Sequence, residues 1–453
     1  MAIGIAGAGR IAFNSVVSLR FGTVLFGQYA AMVAAVILVG SLASAGPAAA
    51  TTLGVARRWA VTPGVLPISL LYFLSRLGLW FLLPGVVAGI LWATVRGTLP
   101  PFVWVVALMG YVAYQVARAF GYSVQQAGAI TRAELIGAVV PILAVLVLAA
   151  RAEAVPDTFL VLVFASGPLG FLVTFGWLVR RSVRLNADPL DPEERRTAIR
   201  EGLVFFVGAG SSMTMQYLPV IIAERLQETT TAALLFGAVQ ATAPLLLFSR
   251  VYGAVMMPAF AGKEETERAQ VHVAFVRPFF VATLAVALGI APWVVWSLGL
   301  SPTGRALSIG ALVALMTLMQ VWATPAVTVL GAQRRERVPA LASLVGLGVA
   351  SGIWIIGAQT GETFLLPVGL ALGAVIRSLV PMWVISGRPV GRFDRERRVG
   401  LLAAVGISLV VVVTARATPG IALFGGALLA AVGLGMVYRT WRHLQPANED
   451  PAR

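Results

Sequence analysis

Cysteine is absent from all 453 residues, which excludes disulfides and thiol-bound metal sites. Histidine occurs only at His272 and His443, too sparse for a histidine-built centre, so no metal and no cofactor is expected. Lysine occurs once, at Lys263, and no G-x-x-x-x-G-K-[ST] stretch exists, so no P-loop for ATP is legible. No Asp or Glu precedes Glu134. The G-x-G-x-x-A match at Gly7, Gly9 and Ala12 therefore lacks the acidic partner that a dinucleotide fold places about 20 positions on, and its glycines read as helix-packing residues. Charge is scarce as well: 12% of residues are charged against 58% hydrophobic. The mean hydropathy of +0.88 is far above that of soluble globular domains.

What is present is long apolar runs. Spans of about 20 apolar residues recur along the whole chain, about fourteen in number, which predicts an all-α polytopic membrane protein. The expected organisation is an N-terminal lobe at 1–182, a polar linker with a short surface helix at 183–201, a C-terminal lobe at 202–387, and two further helices with a tail at 388–453. Each lobe takes six helices, in a pseudo-two-fold arrangement. The linker is the longest polar interval. Within it Asp191 reads as an N-cap, Pro192 as the first helical residue, and Glu193 and Glu194 as an acidic first turn.

Arg180, Arg181, Arg184, Arg195, Arg196 and Arg200 crowd this linker. With both termini placed in the cytoplasm, the inside segments hold 23 Lys and Arg and the outside segments 6, a strong positive-inside bias. The basic balance, 34 Lys+Arg against 19 Asp+Glu, is spread in short clusters between spans rather than along one face. Anionic lipid headgroups and an anionic substrate are the expected partners, and nucleic acid is not. A weak repeat joins the halves: Phe26-Gly27-Gln28-Tyr29, followed by Pro47, returns 210 residues later as Phe236-Gly237-Ala238-Val239, followed by Pro258.

Polar residues inside spans are expensive and therefore informative. Arg10, Arg76, Arg118, Arg250 and Arg377 fall within apolar runs, and each would cost about 2.5–3.5 kcal/mol at a bilayer centre. They are expected to face a wet cavity, one another, or the headgroups by snorkelling. Tyr111, Tyr114, Gln115, Arg118 and Tyr122 recur at helical spacing and share a face of the fourth span, as either a cavity wall or an interhelical seam. Arg10 and Asn14 share a face of the first span; Ser212, Gln216 and Pro219 mark the seventh, and Gln320 the tenth. Glu134 is expected to pair with Arg118 or Arg76, or to couple an ion. GxxxG pairs at Gly85/Gly89, Gly348/Gly352 and Gly369/Gly373 predict close helix approach.

Over Ser18–Arg57 the chain resembles the polysaccharide lipid flippases of the multidrug/oligosaccharidyl-lipid/polysaccharide (MOP) exporter superfamily. Arg20, Gly22, Phe26, Gly27, Tyr29, Gly46 and Arg57 stand in the places that family's opening motif occupies, and Pro258-Ala-Phe-Ala and Leu330-Gly331-Ala332-Gln333-Arg334 extend the likeness. The resemblance implies export of a polyprenyl-diphosphate-linked oligosaccharide from the inner to the outer leaflet by alternating access, in a bacterial plasma membrane, alongside polysaccharide assembly proteins. On that view Arg10, Arg76, Arg250, Arg377 and Arg118 hold the diphosphate, because guanidinium groups pair bidentately with phosphate oxygens. Asn14, Tyr111, Tyr114, Gln115, Gln216 and Gln320 meet sugar hydroxyls. Two alternatives stand beside it. A cation-coupled multidrug or metabolite antiporter would use a buried carboxylate, for which Glu134 is the candidate. A membrane-embedded glycosyltransferase or ligase would need a sizeable external loop with catalytic carboxylates, and the predicted external loops are short. No enzymatic activity is expected.

Overall fold

The computed structural model describes residues 2–96, 100–151, 155–180, 182–189, 191–242, 303–332, 335 and 337–386. Arg250, the Pro258 copy of the repeat and the two C-terminal spans lie outside the described residues. Among the described residues the architecture is eleven α-helices and two three-residue strands. In chain order these are α1 (Ala2–Phe21), α2 (Thr23–Val61), β1 (Val65–Pro67), α3 (Ile68–Arg96), α4 (Pro101–Ser123), α5 (Ala127–Arg151), α6 (Asp157–Val179), β2 (Arg184–Asn186), α7 (Pro192–Arg225), α8 (Thr229–Thr242), α9 (Gly304–Ala332), α10 (Arg337–Thr360) and α11 (Leu365–Ser386). Nine of the described helices are long and apolar enough to cross a membrane. The chain is a multi-pass membrane protein, nearly all helical. It falls into two compact units that divide within α8, after Phe236.

In the first unit α2 is the organising helix. It has 39 residues, a length of about 58 Å at 1.5 Å per residue, against a hydrocarbon core of about 30 Å. Its end at Arg58 therefore projects beyond the apolar layer. Gly22, at φ 87°, breaks α1 from α2 where a residue with a Cβ would be strained. Pro47 interrupts the ladder inside α2, and the hydroxyls of Thr51 and Thr52 donate back to Pro47 O at 2.7 Å and Ala48 O at 2.9 Å. Around α2 pack α3, α4 and α7, while α1 lies on α5 and α5 on α6.

Small residues set these approaches. A Cβ at Gly89 would overlap the Trp104 indole, and Cβ atoms at Gly137 and Gly167 would come within 2.9 Å and 2.7 Å of the carbonyl oxygens of Gly167 and Gly137. The predicted Gly85/Gly89 approach is thus present, as is that of Gly369, which lies against Trp354 and Ala350. The Gly348/Gly352 expectation is corrected. Among the described residues nothing lies within 4 Å of a Cβ at either position, because α10 packs on α11 through Gly346 and Ala350 and turns the other pair outward.

At the end of the first unit that carries Arg58, the linker is tied down. β1 and β2 pair in parallel, Val65 with Arg184 through Pro67 with Asn186. Ser69 Oγ donates to Asp188 O at 2.6 Å, and Arg58 Nη2 meets Glu194 Oε2 at 2.8 Å. No strand was expected there. The predicted cap of α7 is present: Asp191 Oδ1 accepts from the Glu193 N–H at 3.0 Å, with Pro192 at the first helical position. Surface helix and seventh span form one 34-residue helix. At the far end of α2, Phe26 and Phe236 meet edge to face with ring centroids 6.2 Å apart, so the leading residues of the two repeat copies touch.

Candidate functional site

The interior of the first unit gathers polar side chains from five helices. Gly40 of α2 leaves room for the Tyr111 ring, 2.6 Å from where its Cβ would stand, and lets α4 lie close. Tyr111 and Tyr114 are buried, as are Arg118 one turn further along α4 and Glu134 on α5. Tyr114 Oη donates to Glu134 Oε1 at 2.8 Å and accepts from Arg118 Nη1 at 3.3 Å, while Arg118 Nε lies 3.3 Å from the same carboxylate oxygen. Gln115 Nε2 donates to Tyr111 Oη at 2.8 Å, and Ser41 Oγ on α2 stands 3.4 Å from that hydroxyl. The stripe read from helical spacing is therefore a seam joining α4 to α5 and α2. Tyr122, at its end, is exposed. Phe171 holds the Tyr114 ring edge to face at 4.8 Å and stacks on Phe175 at 5.5 Å, which closes the apolar side of the seam.

Glu134 pairs with Arg118, not Arg76. That pairing matters for Arg10, the half-buried cation of α1. Arg10 lies within electrostatic reach of Tyr114, Tyr111, Tyr217 and Glu134, and of Tyr29. Four of the eight tyrosines of the chain thus lie within electrostatic reach of one guanidinium. The Tyr29 hydroxyl is fully buried and has no hydrogen-bond partner among the described residues. Tyr29 and Tyr217 were not anticipated as site residues; the scarcity of tyrosine, and the position of Tyr217 beside Gln216, were the available signals. Asn14, Ser212 and Gln216 are buried in the same unit.

The remaining predicted residues are elsewhere. Arg76 is exposed on α3. Gln320 and Arg377 are half-buried in the second unit, where Arg377 lies beside the Gly346–Gly373 approach of α10 and α11. Buried Arg118 and half-buried Arg10 against the one carboxylate of Glu134 leave these described residues of the first unit with a net positive charge. Such an interior accepts an anion and repels a cation.

The chain is similar to several solved structures. One is an inward-facing multidrug resistance MATE family transporter of the MOP superfamily, with TM-score 0.62 and 14% identity over 86% of this chain and 96% of that one. Another is the lipid II flippase MurJ in an inward closed conformation, with TM-score 0.57 and 10% identity over 97% of this chain and 98% of that one. A eukaryotic MATE transporter matches with TM-score 0.53 and 11% identity over 89% of this chain and 98% of that one. This chain shares the helical fold of these transporters. No protein-family profile matches the sequence, and no curated protein matches it. Among the described residues, the first unit of this fold thus carries arginine, tyrosine, amide and hydroxyl side chains in its interior, with the buried carboxylate of Glu134 paired to Arg118.

Proposed function

We propose that this protein flips a polyprenyl-diphosphate-linked oligosaccharide from the inner to the outer leaflet by alternating access, for cell-surface polysaccharide synthesis, in a bacterial plasma membrane with both termini cytoplasmic. The observation that carries the reading is the charge balance around Arg10. Glu134 is engaged by Arg118 and Tyr114, so the Arg10 charge is faced chiefly by tyrosine oxygens, which a diphosphate outcompetes as an anionic acceptor. Arg10 is the diphosphate ligand of the first unit in this reading, and Arg250 and Arg377 are further candidate phosphate ligands to be tested beside it. Arg118 acts as the internal counter-charge of Glu134. Gln115, Asn14, Gln216 and Gln320 supply groups for sugar hydroxyls, with Tyr111 and Tyr114.

Outward movement of an anionic headgroup across an inside-negative membrane is favoured by about 2.3 kcal/mol per charge per 100 mV. The membrane potential then suffices as a driving force. The multidrug neighbour favours a second reading, a cation-coupled antiporter working through Glu134. Against it stands the neutralisation of that carboxylate by Arg118.

Proteoliposomes loaded with a lipid-linked oligosaccharide separate the two. Flipping that rises with an inside-negative potential, and that Arg10→Ala, Arg250→Ala and Arg377→Ala each reduce at unchanged protein level, supports the flippase reading. Normal flipping in all three variants overturns it. Cation-gradient-driven efflux of a cationic dye, lost on Glu134→Gln, establishes the antiporter instead.

A further inference from the structure

We propose that Arg76 is a docking point, on the exposed face of α3, for the phosphate of a bilayer phospholipid in the leaflet nearer the β1–β2 end. Tyr72, Arg76, the adjacent pair Leu79 and Trp80, Leu83, Val87 and Leu91 recur at spacings of three and four from one step to the next, which sets them on one side of the helix. All seven are exposed. The face is apolar except for Arg76: Leu79, Trp80, Leu83 and Leu91 are each 60% exposed or more. A surface of that composition is lined by acyl chains, not by water. Ser75, next to Arg76 in the chain, donates its hydroxyl to Tyr72 O at 2.8 Å and asks for no outside partner.

Arg76 is different. Among the described residues it makes no hydrogen bond and no ion pair. Its depth explains what can meet it. It stands eight residues past Ile68, the first residue of α3, about 12 Å along the axis. Helical side chains lean toward the N-terminus, and a snorkelling arginine reaches on the order of 6 Å that way. The guanidinium then arrives at the headgroup level, with Tyr72 one turn above and Trp80 one turn below as interfacial anchors. A phosphodiester there gives the charge two acceptor oxygens in the fork geometry that arginine matches. The same placement separates Arg76 from Arg10, whose electrostatic partners stand on α2, α4, α5 and α7. The proposal rests on membrane insertion of α3, and it stands whether or not the flippase reading does.

The test uses the full chain purified in mild detergent and titrated with phosphatidylglycerol, bound copies being counted by native mass spectrometry. Arg76→Ala is expected to weaken the tightest phosphatidylglycerol adduct about fivefold, the effect of one basic side chain at an anionic headgroup, with Arg76→Lys retaining most of it. Arg76→Gln replaces the alanine variant if the latter is polydisperse. Equal binding by wild type, the lysine variant and the neutral variant overturns the proposal. So does displacement of the Arg76-dependent adduct by an equimolar polyprenyl diphosphate, which would make this face part of the substrate path.

Discussion

Replacing Glu134 with glutamine removes a charge and almost nothing else. The isosteric amide still offers the Tyr114 hydroxyl an acceptor where the carboxylate now stands, 2.8 Å away. Arg118, however, is left charged in an interior where the pair's side chains are only 9% and 4% exposed, so solvent screens little of the loss. Breaking a buried pair by removing one partner costs about 3–5 kcal/mol, most of it the penalty of an uncompensated buried charge. At about 2–4 °C per kcal/mol for a unit of this size, the expected fall in the unfolding midpoint is about 6–20 °C. The assay is thermal unfolding of the purified protein in detergent, followed by tryptophan fluorescence. The double variant Arg118→Met/Glu134→Leu is expected to recover the midpoint, because an apolar pair of similar volume is neutral or stabilising in place of a buried ion pair. A wild-type midpoint for Glu134→Gln, or a double variant less stable than Glu134→Gln, would refute the assignment of Glu134 to Arg118.

Four smaller predictions follow from the packing. Gly89→Ala would drive a methyl into the Trp104 indole and lower the stability by about 1–3 kcal/mol; introduced into a Trp104→Ala background, the same methyl should cost less in the same unfolding assay. Gly348→Ala and Gly352→Ala meet open space, so both should leave the midpoint unchanged or raised, since alanine is the better helix former by about 1 kcal/mol. Because the chain holds no cysteine, Val65→Cys/Arg184→Cys is a clean probe of the strand register. Adjacent strands lie about 4.8 Å apart, within disulfide range, so mild oxidation should remove both free thiols from maleimide labelling. Arg58→Ala should cost less than about 1 kcal/mol, because the Arg58–Glu194 pair is a third exposed, and the loss should shrink further at high salt.

Much of the helical plan was legible in one dimension, for a simple reason. A backbone in hydrocarbon must satisfy its own polar groups, so long apolar runs become helices whatever surrounds them. Local chemistry was equally readable: Asp191 caps α7 through its own turn, a contact two residues long. Helical spacing also put Tyr111, Tyr114, Gln115 and Arg118 on one face of α4. What that face meets is another matter. Periodicity names a side of a helix and is silent about the helix opposite.

Tertiary packing alone chose Arg118 over Arg76 for Glu134, since both arginines were within plausible reach in sequence and only the α4–α5 approach brings one of them to 3.3 Å. It alone brought Tyr29 of α2 and Tyr217 of α7 within electrostatic reach of Arg10. The same holds for Gly348 and Gly352, identical in pattern to Gly85 and Gly89 but turned to open space because α10 meets α11 through a different side. Composition and periodicity set which segments cross the membrane. The cost of leaving a buried charge unpaired operates between helices far apart in the chain, so which side chains share an interior was decided only when those helices met.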